Sequence, residues 1–414
     1  MTYTIEKVTT LIGARRYGDR DGNVGFILTD SRSLCFPEET LFFALKSERN
    51  DGHNYIPELY RRGVRNFVVS QVPKGYASDY PEANFLKVVN TLEALQRLAE
   101  RHRDEFNIPI VGITGSNGKT MVKEWLHQLL SPSMFVTRSP RSYNSQIGVP
   151  LSVWLLNEQT QVGVFEAGIS QPGEMLALRD IIQPTIAVLT YLGAAHQENF
   201  ESLEAKCREK IILFHDADTI VYNGDDKTVS GVVNEYKDYK GEKLFWSFRD
   251  TKAPFFVKNV EKKGNLSIIT YIYKGEEDSY SLPFIDEASV TNSIIAAVVS
   301  RRLGLSAEEL DKRMALLEPV AMRLEVKEGQ HGCTLINDSY NSDINSLDIA
   351  LDFMSRRPDH KGRRHTLILS DIFQSGESAK DLYHEVSDLC RKRGVVKFIG
   401  IGPQLCSHCL LYTS

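Results

Sequence analysis

A chain of 414 residues is too long for one ordinary hydrophobic core and predicts two to four domains. Its 42% hydrophobic and 25% charged residues have the balance of a soluble globular protein, and a net charge of -5 without a basic stripe argues against nucleic-acid binding. No apolar run approaches the ~20 residues that span a bilayer, residues 1–7 lack an apolar leader core, and six scattered cysteines read as reduced thiols. The expectation is a cytoplasmic protein with no membrane insertion.

In chain order, strands are expected at 64–70 and 85–89, and Leu92, Leu95, Leu98 and Ala99 recur at helical spacing over 91–105. Asn107-Ile108-Pro109 interrupts, so the first domain is placed at 1–106. The buried-strand run Ile110-Val111-Gly112-Ile113 follows, then a glycine-rich loop, then a helix with Met121, Val122, Trp125, Leu126, Leu129 and Leu130 on one face. Strands at 162–167, 185–192 and 219–223 alternate with helices at 173–182 and 202–215, the pattern of a mostly parallel sheet covered on both faces. Alternation over 254–284 predicts antiparallel strands, and a helix at 289–303 leads to a helical region ending near Pro319. These make a central domain, 107–319. Residues 320–414 carry a third α/β pattern, with strands near 333–337, 365–370 and 396–401 and helices at 345–355 and 378–393. It stops after three strands, and residues 406–414 fit neither a strand nor a capped helix. The chain is therefore expected to end inside an incomplete Rossmann-like domain.

The glycine-rich loop carries the chemistry. Backbone N–H groups close around phosphate oxygens only where side chains are absent, which suits Gly115 and Gly118, and the following helix offers its positive end to the anion. Lys119 can reach the outer phosphates of ATP, and the Thr120 hydroxyl suits Mg2+. The common phosphate-loop pattern has glycine five residues before Gly118, where this chain has Ile113, so the match is displaced by one.

With that displacement, Thr114-Gly115-Ser116-Asn117-Gly118-Lys119-Thr120 resembles the loop of the Mur ligases, which extend the peptide of the bacterial cell-wall precursor. Asp30-Ser31-Arg32, Asp51-Gly52-His53, Asn144 to Pro150, Glu166-Ala167-Gly168, Pro172-Gly173-Glu174 and Asp338-Ser339-Tyr340-Asn341 support the resemblance. It is strongest for the member that adds D-alanyl-D-alanine to UDP-N-acetylmuramoyl-tripeptide. It implies a three-domain α/β architecture around a central P-loop parallel sheet and amide ligation through an acyl phosphate with ATP and Mg2+; the sequence leaves the oligomeric state open, with a monomer favoured. Arg141 to Ser145 and Ala288-Ser289 resemble a subgroup in which the ligase precedes an alanine racemase.

The resemblance also implies roles for single residues. ATP falls to Gly115, Ser116, Asn117, Gly118, Lys119, Thr120, Asn292 and Arg323. Metal falls to Thr120, Glu166, His196 and Lys210, with Lys210 carbamylated by CO2 and Lys119, Lys210 and His196 catalytic. Taken alone, Glu166 at a strand end also reads as a cap, and Lys210 as a solvated helical lysine like Lys206. UDP falls to Ser31, Arg32, Asn144 and Ser145, and the dipeptide to Asp338, Tyr340 and Asn341. Asn223-Gly224-Asp225-Asp226 resembles a nucleotide-side loop, and Asp51-Gly52-His53 is expected to shape a loop. Cys406-Ser407-His408-Cys409 lacks the second pair of a zinc site and reads as an incidental tail. The rival readings are a folylpolyglutamate synthase-like ligase and a non-catalytic nucleotide-binding protein.

Overall fold

The computed structural model describes residues 1–48, 50–193, 197–237, 239–320, 325–339, 344–356, 364–372 and 378–408. They form two compact units, one of residues 1–110, 137–165 and 176–183, the other of residues 111–136, 166–175 and 184–414. The α/β class with parallel sheets expected from the sequence is present in both. Among the described residues no helix is long and apolar enough to cross a membrane.

The first unit is built on a five-stranded sheet ordered Arg15–Tyr17, Asn84–Lys87, Asn66–Val69, Thr40–Phe43, Phe26–Leu28. All neighbours are parallel except the edge strand Arg15–Tyr17. Alternate side chains leave a strand on opposite faces, and here both faces are covered. Leu41, Phe43, Val68 and Leu86 enter one core with Ile5, Val8, Leu95 and Leu98. Phe42, Phe67, Val69 and Phe85 enter another with Ile56 and Leu59. The helix Thr91–Arg103 begins where Asn90 Oδ1 accepts from the Leu92 and Glu93 amides, at 2.9 and 3.4 Å. At its far end His102 is buried, its Nδ1 accepting from the Tyr3 hydroxyl (2.8 Å) and its Nε2 donating to the Leu156 carbonyl (3.1 Å).

Asp51-Gly52-His53 shapes a turn, as expected. A Cβ on Gly52 would stand 2.8 Å from the Ala44 backbone. His53 Nε2 accepts from the Ser70 amide at 3.1 Å while Nδ1–H donates to Asp51 at 2.6 Å.

In the second unit the strands Glu242–Lys243, Thr219–Val221, Ile186–Leu189 and Ile110–Thr114 pair in parallel. The alternating 254–284 region forms Phe255–Lys263, Leu266–Tyr273 and Glu276–Leu282, antiparallel in a separate sheet that Trp246–Ser247 extends. The helices Glu287–Arg302 and Ala307–Met314 follow. Beyond residue 320 the structure adds a strand absent from the sequence reading, Glu325–Glu328, antiparallel to Thr334–Asn337. His365–Ser370 and Val395–Ile401 pair in parallel, and Leu369 shares a core with Leu351, Tyr383 and Val386 of the helices Ile344–Arg356 and Ala379–Lys392. Contrary to expectation, residues 406–408 lie in a helix, Pro403–His408, which Leu405 anchors in that core.

Candidate active site

The strand Ile110–Thr114 delivers the chain to the loop, and the helix Lys119–Leu130 carries it away. Gly115 and Gly118 have φ of 146° and 87°, where L side chains are strained. A Cβ on Gly115 would collide with the Thr190 hydroxyl, and one on Gly118 would lie 2.5 Å from Asn292 Oδ1. Both glycines are therefore required twice over, by conformation and by close approach. The loop leans on the segment after the strand Ile186–Leu189. The Ser116 amide donates to the Tyr191 carbonyl at 2.6 Å, Ser116 Oγ donates to the Gly193 carbonyl and accepts from its amide, and Thr190 Oγ1 donates to the Asn117 carbonyl.

Lys119 folds over its own loop, donating to the carbonyls of Gly115 (2.7 Å) and Ser116 (3.2 Å). Its neighbour Thr120 donates from Oγ1 to Glu166 Oε2 at 3.1 Å. Glu166 ends the apolar strand Val162–Glu166 and is fully buried. Lys123, equally buried, puts Nζ 3.1 Å from Glu166 Oε1 and 3.0 Å from Glu124 Oε1. A hydroxyl and a carboxylate meeting beside a phosphate loop are the hard oxygen donors that Mg2+ takes. Among the described residues no three His, Cys, Asp or Glu side chains gather as a metal cage.

Lys210 lies on the buried face of the helix Leu203–Ile211, which Ser202 caps by accepting from the Ala205 amide. Its Nζ is 3.4 Å from the Gly115 carbonyl, and Lys206, one turn earlier, donates to the Gly193 carbonyl. Burial, and then the positive charges of Lys119 and Lys206, hold the Lys210 amine well below the ordinary lysine range. The solvated-lysine reading thus fails for both residues.

The helix Glu287–Arg302 starts at Asp286, whose carboxylate accepts from the Ser289 amide at 2.8 Å, and it brings Asn292 against Gly118 and Met121. A cavity of about 320 Å3 is lined by Asn117, Gly118, Thr120, Tyr191, Asn292 and Asp338. Residues expected on the ATP and dipeptide sides thus share one hollow. Asp225 is committed elsewhere, accepting from Ser247 Oγ and, at 2.7 Å, from the Phe248 amide.

The residues expected for UDP belong to the first unit. Ser31 and Arg32 occupy the exposed turn Ser31–Ser33, where Arg32 forks onto Asp30 at 2.9 and 2.6 Å. Those hydrogen bonds push the Asp30 carboxyl down to about 2. Asn144 and Ser145 precede the helix Gly148–Val153, with Ser145 Oγ accepting from the Gly148 amide at 3.2 Å. His196, Arg323, Tyr340, Asn341 and Cys409 lie outside the described residues. Lys123, Thr190 and Tyr191 are not singled out by the sequence, and Lys206 reads there only as a solvated lysine. The only signal for Lys123 is its i+4 spacing from Lys119.

Residues 113–300 match the Mur ligase middle domain. Over 368 residues the chain is 28% identical to the UDP-N-acetylmuramoyl-tripeptide--D-alanyl-D-alanine ligase of Bacillus subtilis (strain 168), covering 87% of this chain and 76% of that protein. It is 25% identical over 418 residues to the Escherichia coli (strain K12) protein of the same name, covering 99% and 88%. The fold is that of MurF from Acinetobacter baumannii, with a TM-score of 0.85 and 22% identity over 99% of this chain and 87% of that one. The matched segment holds the displaced-glycine loop, the strand-end Glu166 and the buried Lys210, and over residues 113–300 the chain is similar to the middle domain of the Mur ligases.

Proposed function

We propose that this chain is an ATP-dependent ligase that joins D-alanyl-D-alanine to the free carboxylate of UDP-N-acetylmuramoyl-tripeptide in peptidoglycan precursor synthesis. The observation that carries the proposal is the convergence of Lys119, the Thr120–Glu166 pair and buried Lys210 on one loop. Nucleotide binding alone has no need of a buried amine and a buried carboxylate at the same place. The separate sheet of the first unit favours this reading over a folylpolyglutamate synthase-like ligase, which has no call for a UDP-binding domain.

A carboxylate does not condense with an amine in water, because its oxygen is a poor leaving group. In the proposed reaction the γ-phosphoryl group of ATP passes to the carboxylate, breaking its bond to the β-phosphate oxygen and giving an acyl phosphate. The dipeptide amine attacks the carbonyl carbon, phosphate leaves with the electron pair, and the nitrogen loses a proton. Lys119 exchanges its two loop carbonyls for the outer phosphate oxygens, where charge develops. Mg2+, held by Thr120 and Glu166, would add positive charge at the same oxygens. Lys210, as a neutral amine, attacks CO2 and sheds a proton to become a carbamate; with His196 it is the proposed second cation site. Asn292 and Arg323 serve the nucleoside, Asp338, Tyr340 and Asn341 the dipeptide, and Ser31, Arg32, Asn144 and Ser145 the UDP substrate of domain 1–106. The enzyme works as a cytoplasmic monomer.

Phosphate release tests the reading. Turnover should need ATP, UDP-N-acetylmuramoyl-tripeptide and D-alanyl-D-alanine together and should vanish in Lys119→Ala. Brisk ATP hydrolysis without either acceptor would count against it.

A further inference from the structure

Lys123 follows Thr120 by three residues on the helix Lys119–Leu130, so the two side chains approach Glu166 from one helix face. Its side chain is fully buried, and an ammonium taken out of water is tolerated only when paired. The pairing is divided: Nζ is 3.0 Å from Glu124 Oε1 and 3.1 Å from Glu166 Oε1. The second Glu166 oxygen, Oε2, accepts from Thr120 Oγ1 at 3.1 Å. A carboxylate at a strand end can rotate and offer a cation either oxygen or both. Here one oxygen lies at ion-pair distance from the lysine, without a hydrogen bond, and the other accepts from the hydroxyl.

We propose that Lys123 is a positioning residue for the cation site: its ammonium holds Glu166 Oε1 and turns Oε2 toward Thr120, so that the carboxylate meets Mg2+ through one oxygen. The inference rests on the reading of Thr120 and Glu166 as cation ligands. Simple charge and positioning predict opposite signs. Lys123 repels a nearby cation, so deleting its charge alone would tighten Mg2+ binding, whereas losing the tether weakens it.

The test is calorimetric titration of the full chain with ADP, once in EDTA and once in Mg2+. In Lys123→Met the Mg2+-dependent gain in ADP affinity should fall by about tenfold or more, the range for partners that orient metal ligands. Metal-free ADP affinity should stay at the wild-type value, and Lys123→Arg should recover part of the gain. An unchanged or larger gain in Lys123→Met overturns the proposal. Should that variant lose metal-free ADP binding, Lys123→Gln takes its place, with the same fall expected and an undiminished gain again overturning it. Glu166→Gln, run beside them, separates the two levels. If the gain survives in Glu166→Gln, the cation reading falls and the inference with it. If it is lost there but kept in Lys123→Met, only the positioning role fails.

Discussion

Lys119 and Lys210 share an acceptor, the carbonyl of Gly115, at 2.7 and 3.4 Å, which sets two lysines of different character against one peptide unit. Lys119 is the proposed cation for the phosphates. Lys210 is sealed and held toward its neutral form, the state in which an amine adds CO2. Lys210→Ala should therefore lose ligase activity that bicarbonate cannot restore, while formate or acetate, entering as a small anion, should restore part of it. Unchanged activity in the variant sinks the carbamate. The wild-type protein sprayed from bicarbonate buffer should also carry a CO2 mass adduct that Lys210→Ala lacks. Gly118→Ala probes the loop itself. With φ at 87° and a Cβ landing 2.5 Å from Asn292 Oδ1, the loop must shift, and MgADP affinity should drop by at least about tenfold, the equivalent of ~1.4 kcal/mol. Retained affinity would show that the close packing of Gly118 on Asn292 is dispensable.

At the scale of elements, the helix Thr91–Arg103 carries a built-in acid sensitivity. Burial pushes the His102 imidazole down to about 4 from an ordinary 6.5, although the Leu156 carbonyl acts in the opposite sense. Between those values the unfolded chain binds the proton and the folded one does not, so stability is lost as pH falls from 6.5 toward 4 and levels off below. The full loss is about 3 kcal/mol on the scale of ~1.4 kcal/mol per pKa unit. Hydrogen-exchange protection of this helix, corrected for intrinsic rates, should decline through that window in wild type and decline much less in His102→Phe; equal slopes would refute the assignment. The helix itself is plain in the sequence, because Leu92, Leu95, Leu98 and Ala99 keep its period. The loop, its flanking strand and Glu166 are legible for the same reason, since each is signalled within a few neighbouring residues. Lys123, Lys206 and His102 are not. Their roles come from burial among distant segments, and a lysine four residues from another looks like any solvated helix face. Short elements such as Glu325–Glu328 and Gly148–Val153 escape because two turns or four residues carry too little periodicity to stand out.

At the scale of the whole molecule, the proposed substrates divide between the two units. The phosphate loop, Glu166, Lys210 and Asn292 belong to the second unit, while Ser31, Arg32, Asn144 and Ser145 belong to the first. The first unit has a five-stranded sheet with a buried core on each face, and the proposed nucleotide residues lie in the other unit, so each ligand should stabilise chiefly the unit that binds it. A ligand at a hundred times its dissociation constant stabilises the part that binds it by about 2.7 kcal/mol, which is large enough to read by hydrogen exchange. MgADP should protect the strand Ile110–Thr114 and the helix Lys119–Leu130 and leave the sheet of residues 1–106 at its free rates. UDP-N-acetylmuramoyl-tripeptide should do the reverse, slowing exchange in the turn Ser31–Ser33, where Arg32 must trade Asp30 for a pyrophosphate oxygen. That trade also predicts that Asp30→Asn, which frees the guanidinium fork, leaves UDP-substrate affinity intact or improves it, whereas Arg32→Ala weakens it. Protection by the UDP substrate confined to the second unit would remove the substrate role from residues 1–106 and return the choice between ligases to the phosphate-release assay.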